Sequence, residues 1–476
     1  MSKTEEKEIK NEICDEAGDT HHSTLSMISF AFGSFIDEIM NVAFGGSTDL
    51  YDTLGDYFKD IREKGVSSNL AFFIPHGNVR AFVLGTKEGE PTQEQLDKMK
   101  ELIEDGMKSG AFGMSTGLVY PPGSESSTEE LIELSKVVNS YGGIYMSHIR
   151  NEGSHIIDVG MEEVFRIANE ANIPVQVSHW SVISKYAQNL TDEVINLVRE
   201  KQEEGMKIKV DVIPYDEGFT SLSFILLPTW VYENFNENLT DPAKRKKVID
   251  AIFEKLYSMF FADAPFYIRL IPKFILKKLI FTSLAKIVRV LDADKYKDYI
   301  GKTLKETLNE VYPDKNIYDS LLDFMKDENG RVVIQIKHKD EDINVIPMLV
   351  LDFACISSDG LLVVDGNAHP MSHGAFVRIL ERYVREKNLI SLEEAIRKMS
   401  SLPASILGID NRGIIKEGYK ADLVIFNLDK IKEKGTLVNG CQFPEGINYV
   451  LVNGKITAAN GIHEGVLNGR ILKHNK

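Results

Sequence analysis

Two short stretches decide the fold: GGIYMSHIR at 142–150 and NIPVQVSHW at 172–180. Each reads as a short apolar run ending in a Ser-His pair, with His148 closing the first and His179 the second. The second follows a helix-like run from Ile156 to Asn172. Strands that alternate with helices and deliver polar side chains at their C-terminal ends describe a parallel α/β sheet, and barrels of the (β/α)8 type carry their chemistry at that edge. Two histidines so placed can bind one metal. Taken singly, each also reads as a structural histidine capping a core strand.

The alternation extends outward from this pair. NLAFFIPHG (69–77) is strand-like. PTQEQLDKMKELIEDGMKSG (91–110) is a helix with Pro near its start, Leu96, Met99, Leu102 and Ile103 at helical spacing, and Gly after its end. STEELIELSKVVNSYGG (127–143) is a second helix that Ser127 or Thr128 can cap and Gly142 and Gly143 can end. A helix from Asp192 to Gly205 leads to KIKVDVIPY (207–215). The barrel is expected to resume near VVIQIKH (332–338) and PMLVLDFACISSDG (347–360), and SLEEAIRKMSSLPASILGI (391–409) closes it as a helix. Beyond Gly408, short strands with Gly and Asn-Gly turns, as in INYVLVNGKITAANG (447–461), predict a small β domain.

At 476 residues the chain accommodates one large domain and a smaller one. A net charge of −16 argues against a nucleic-acid partner, because phosphates are repelled. Cys14, Cys355 and Cys441 are too few for a disulfide framework and form no CxxC pair, as expected of a reduced, cytoplasmic protein. The charged opening MSKTEEKEIKNE does not read as a signal peptide. The most apolar segment, 264–291, is interrupted by Arg269, Lys273, Lys277 and Lys278, so a bilayer span is not expected. A basic amphipathic helix on a membrane surface is the lesser reading; packing on the barrel or on another subunit is the expected one.

The series NLAFFIPHGNVR, GAFGMSTGLVYPPG, YMSHIRNEG, VQVSHW, DVIPYDEGFT, SSDG, HPMSHGAFVRILERYVRE, LEEAIRKMSSLPASILGI and RGIIKEGYKADLVIFN resembles the N-acyl-D-amino-acid deacylase (D-aminoacylase) branch of the amidohydrolase superfamily. The pieces occur in the family's order from Ser68 onward. The resemblance implies a metal-dependent hydrolase-type (β/α)8 TIM barrel, incomplete at its N-terminus, with a small C-terminal β-sandwich domain. It implies a divergent or shortened N-terminal segment at 1–65, a barrel at 66–407 with a helical insertion near 230–311, and a small β domain at 408–476.

By motif, His148 and His179 are the expected Zn²⁺ ligands and Asp359 of SSDG the carboxylate that handles protons. A zinc ion would acidify a water and polarise an amide carbonyl, and Asp359 would pass the water's proton to the leaving amine. His76, Arg80, Tyr120, Arg150 and Tyr215 are candidate substrate contacts, although His76 and Arg80 read equally as fixing a loop, and Tyr120 and Tyr215 as core tyrosines with satisfied hydroxyls. The expected partner is a small N-acyl amino acid or related amide, in a chain that could self-associate.

Departures from the family pattern concentrate at the front. Where the family carries Asp-x-His-x-His, this chain has GDTHHSTLSMIS, with His21 and His22 adjacent and so facing opposite ways on a strand. Cys14 precedes these histidines, whereas the family's ligand cysteine follows them; all three stay as candidate ligands. Ser181 and Met371 stand where family members often carry Lys and Arg, natural partners of a substrate carboxylate. Two alternatives therefore stay open: a catalytically impaired paralogue that acts in binding or assembly, and an amidohydrolase for a neutral or cyclic amide.

Overall fold

The computed structural model describes residues 53–85, 87–183, 187–260, 268, 270–337, 339–360 and 366–474. Cys14, His21 and His22 lie outside the described residues. The chain enters through helix α1 (Leu54–Lys64), strand β1 (Ile74–Pro75) and helix α2 (His76–Leu84). Helix α3 (Gln93–Ser109) starts at a capping box. Thr92 accepts the Gln95 N–H and the Gln95 side chain accepts the Thr92 N–H, while Gly110 at φ +113° ends the helix. Its Met99, Ile103 and Met107 turn one face inward at four-residue steps. Ser127 caps α4 (Thr128–Ser140). Strands β2 (Gly113–Gly117), β3 (Ile144–His148), β4 (Val175–Val177) and β5 (Ile208–Val212) alternate with α3, α4, α5 (Glu162–Glu170) and α6 (Thr191–Glu203).

Together with a later strand, β9 (Ala354–Ile356), these form a parallel sheet in the order β1-β2-β3-β4-β5-β9. This is the α/β architecture of a (β/α)8 barrel, with six of its strands among the described residues. Met114, Tyr145, Val177, Val210 and Ile356 are buried in one core with the helix faces. The β2–β3 contact is tight: a Cβ on Gly113 would lie 1.9 Å from the Ile144 carbonyl oxygen, so only glycine fits there.

Between β5 and β9 the chain leaves the barrel. The excursion begins with β6 (Glu217–Ser221) and continues through α7 (Pro242–Phe260), α8 (Lys273–Ile287), β7 (Val288–Asp292), α9 (Leu304–Val311) and α10 (Ile317–Asp327) to β8 (Val333–Lys337). Its strands form an antiparallel sheet, β6-β8-β7, over a separate core that includes Val231, Ile252, Phe281, Phe324 and Ile334. The insertion thus runs from 217 to 337 rather than from about 230 to 311, and it is not purely helical. Val333–Lys337 of VVIQIKH is a strand, but it pairs with β6 and β7 and not with the barrel, which resumes at Ala354. A two-residue period announces a strand without naming its partner.

After α11 (Met371–Arg378) and α12 (Leu392–Met399), strands β10 (Leu423–Phe426), β11 (Ile447–Val452), β12 (Lys455–Ala459) and β13 (Ile462–His463) form an antiparallel sheet. Asn453 and Gly454, both at positive φ, turn β11 into β12. The tail then returns to the barrel's start, where Leu70 donates to the Arg470 carbonyl at 2.9 Å and accepts from Leu472 at 2.7 Å.

Candidate metal and catalytic site

The C-terminal ends of β3, β4, β5 and β9 converge on one polar cluster. His148 is the last residue of β3, and His179 lies two residues past β4. The Ser178 N–H donates to the Ser147 carbonyl, which holds the two Ser-His pairs side by side. Nδ1 of His148 lies 2.7 Å from Nε2 of His179. Glu152, in the loop after β3, places one carboxylate oxygen 3.0 Å from Nδ1 of His179 and the other 3.9 Å from Nε2 of His148. One donor atom from each of the three residues falls within 4.8 Å of the others.

Asp211 of β5 is buried beneath them. It accepts the His179 N–H at 2.7 Å and the Gln176 side-chain amide at 3.0 Å, which holds His179 at φ +35°. Asp359, three residues past β9, stands at φ +51°. Its charged neighbours are His179, Asp211, Lys339 and Glu152; burial, with Asp211 and Glu152, outweighs the two cations and pushes its carboxyl up to about 6.

The histidines differ in charge preference. Burial, reinforced by His179, drives the His148 imidazole toward its neutral form. Burial also opposes a charge on His179, but Glu152 and Asp359 outweigh it and raise the imidazole's pKa. Burial would raise the Glu152 carboxyl, yet the two histidines hold it below the usual carboxylate range. Two imidazoles and an ionised carboxylate crowded in a low-dielectric site match the donor set of catalytic zinc.

Lys339, just past β8, lies within electrostatic reach of the cluster. It is only 8% exposed, its nearest charges are Glu152, Asp359 and Asp216, and its ammonium makes no hydrogen bond or ion pair among the described residues. Tyr120 lies beside His148. Its ring lies 5.3 Å from the His148 ring, stacks on Phe224 at 5.0 Å, and its hydroxyl accepts from Thr220.

Residues 353–458 match the Amidohydrolase family. A D-aminoacylase of Alcaligenes xylosoxydans xylosoxydans is 28% identical over 429 residues, covering 90% of this chain and 75% of the relative. A crystal structure of D-aminoacylase, described as defining a novel subset of amidohydrolases, superimposes with a TM-score of 0.75 at 25% identity, over 98% of this chain and 86% of that one. Along most of its length this chain is similar to the D-aminoacylase branch of the amidohydrolases. It is accordingly an amidohydrolase acting on carbon–nitrogen bonds other than peptide bonds. The fold is shared further with an N-acyl-D-glutamate deacylase from Bordetella bronchiseptica, complexed with zinc and a phosphonate inhibitor. That match has a TM-score of 0.71 at 23% identity, over 92% of this chain and 78% of that one.

The structure brings His148, His179, Asp359 and Tyr120 together, and it directs the other expected substrate contacts elsewhere. Arg150 grips Glu163 with its Nε and Nη2 and donates to the Ser124 and Ser126 carbonyls, so its guanidinium is fully engaged. His76 and Arg80 are wholly buried and converge on Glu130, tying α2 to α4. The Tyr215 hydroxyl donates to Glu433 while Arg378 lies 4.4 Å over its ring, so it anchors the connection between β10 and β11. Ser181 is buried, and Met371 packs among Ile213, Tyr215 and Ala375.

Reading the sequence missed Glu152, Asp211 and Lys339. Only Glu152 carried a signal, lying four residues after His148 in SHIRNEG. Asp211 looked like one polar residue in a strand, and Lys339 belongs to an insertion whose path the sequence does not disclose.

Proposed function

We propose that this chain is a zinc-dependent hydrolase of N-acyl-D-amino acids or closely related linear amides. The observation that carries the reading is the convergence of His148, Glu152 and His179, with Asp359 beside them. The D-aminoacylase relatives and the zinc-containing N-acyl-D-glutamate deacylase support both the substrate class and the metal. His148, Glu152 and His179 are the residues to hold the ion. When bound, the metal supplies Lewis-acid polarisation of the amide carbonyl and lowers the pKa of an adjacent water.

The rest belongs to the chain's own side chains. The Asp359 carboxylate accepts the attacking water's proton and returns it to the departing nitrogen. A carboxyl held near 6 is mostly ionised at neutral pH and still basic enough for that task. Asp211 orients His179 through its backbone N–H. The Lys339 ammonium, buried and unpaired among the described residues, is the cation available to a substrate carboxylate now that Ser181 and Met371 offer none. Tyr120 and Phe224 form an aromatic wall for the acyl or side-chain group.

The test is zinc content by elemental analysis of wild type and His148→Ala/His179→Ala, followed by hydrolysis of N-acetyl-D-amino acids, their L-isomers and the corresponding uncharged amides. Zinc retained by wild type and lost in the double variant, with cleavage of the D-acids, is expected. A folded wild-type protein that binds no zinc would sink the metal reading. Preference for an uncharged amide would replace the substrate assignment.

A further inference from the structure

Helix α8 is apolar on nearly every side, yet only part of it is covered. Leu276, Ile280, Phe281, Leu284 and Ala285 pack into the insertion core, against elements that include α7, α9, α10 and β7. The remaining face is open to solvent: Phe274 is 74% exposed, Leu279 50% and Ile275 41%, and Leu270 just ahead of the helix is 74% exposed. At 100° per residue, Phe274, Lys278, Ile275 and Leu279 fall within an arc of about 140°. Large apolar side chains clustered on one exposed face mark an interaction surface rather than ordinary surface scatter.

Charge selects the occupant. The chain as a whole carries −16, but residues 264–291 contain no Asp or Glu and include Arg269, Lys273, Lys277, Lys278 and Lys286. Lys273 and Lys277 pair with Glu254 and Asp250 of α7. Lys278 and Lys286 are exposed and make no hydrogen bond or ion pair among the described residues. A second copy docking face to face would set these lysines against their own equivalents, since a two-fold interface meets itself. A negatively charged apolar-cored layer suits them, with ammonium groups at the charged level and the apolar tips below it. No helix among the described residues is long and apolar enough to cross a membrane, so the contact is with a surface.

We propose that the exposed face of α8, formed by Leu270, Phe274, Ile275 and Leu279 with Lys278 and Lys286, docks the protein on an anionic lipid surface. Only one side of the segment packs on its own fold.

Co-sedimentation of the full chain with vesicles tests this, using phosphatidylcholine alone and phosphatidylcholine mixed with phosphatidylglycerol. Wild type is expected to pellet with the mixed vesicles and not with phosphatidylcholine alone, and to be released by added salt. Phe274→Glu/Leu279→Glu and Lys278→Glu/Lys286→Glu, all exposed positions, are each expected to abolish pelleting while melting like wild type. Wild type left in the supernatant with both vesicles overturns the proposal, as does undiminished pelleting of either variant. A dimer seen by light scattering that Phe274→Glu/Leu279→Glu dissociates, without vesicle binding, assigns the face to a second copy and equally overturns it.

Discussion

His179 and Asp359 hold left-handed backbone angles, a region in which asparagine, aspartate and histidine are over-represented among non-glycine residues. Every other non-glycine residue with positive φ among the described residues is an asparagine, at positions 172, 329, 388, 453 and 460. Asparagine and aspartate tolerate that conformation through local hydrogen bonding, whereas other residues there cost on the order of 1–3 kcal/mol and need surrounding structure to hold them. Asp211 supplies that restraint for His179, and the Ser-Asp-Gly turn for Asp359.

The two site residues with different duties separate kinetically. Asp359→Asn keeps the shape and removes the proton acceptor, so zinc content should be unchanged while kcat falls by about 10²–10⁴. Lys339→Met should instead raise KM for N-acyl-D-amino acids with little change in kcat, and leave an uncharged amide unaffected. Steady-state kinetics with metal analysis on the same preparations check both. An Asp359→Asn protein that loses zinc would mean that Asp359 serves the metal instead. Motif reading exposed Asp359 because SSDG lies in one stretch of chain. Lys339 stayed hidden because Glu152 and the two histidines lie far from it in sequence.

At the scale of elements, caps and periodicity located the helices well. Thr92, Ser127 and Gly110 act as their residue types predict, because capping is settled within a few residues of chain. The contact between α2 and α4 is a different matter. Glu130 lies on the buried side of α4, with His76 at 2.7 Å and Arg80 bound to its other oxygen, all out of solvent. Burial by itself raises the Glu130 carboxyl, but His76 and Arg80 outweigh it and hold it below the ordinary value.

A depressed carboxylate contributes stability that is complete above its unfolded pKa, about 4.3, and is lost as pH falls through the folded value. Glu130→Gln leaves a buried guanidinium without its counter-charge and should cost about 3–5 kcal/mol at neutral pH. The gap to wild type should narrow as pH drops below about 4. Denaturant melts of both proteins across that range are the check, and a pH-independent gap would count against the ion-pair account. His76 and Arg80 looked like site residues in the sequence because a charged motif reads the same whether it faces substrate or a buried partner.

Among the described residues the two largest apolar cores lie one in the barrel and one in the insertion, with the chain's end laid back on its described beginning. Gly469 donates to the Val66 carbonyl, and Leu70 exchanges bonds with Arg470 and Leu472. A Cβ on Gly469 would meet the Ser68 carbonyl oxygen at 1.9 Å, so the tail lies flat against the barrel's first segment. Ending the chain after Gly465 removes this seam and should lower stability by roughly 1–3 kcal/mol, read as a lower Tm with the zinc site intact. An unchanged Tm would show that the seam adds nothing.

What the sequence by itself determined is whatever short stretches of chain encode: the alternation of strands and helices, their caps and turns, the Ser-His strand ends and the Ser-Asp-Gly turn. The tertiary structure alone decided partners. It sent Val333–Lys337 to the insertion sheet, bound Arg150 to Glu163 and both His76 and Arg80 to Glu130, turned Tyr215 toward Glu433, and brought Glu152, Asp211 and Lys339 to the histidines. The reason is physical. Backbone conformation responds to neighbours a few residues away, whereas a charge is satisfied by whichever group the fold carries to it through space.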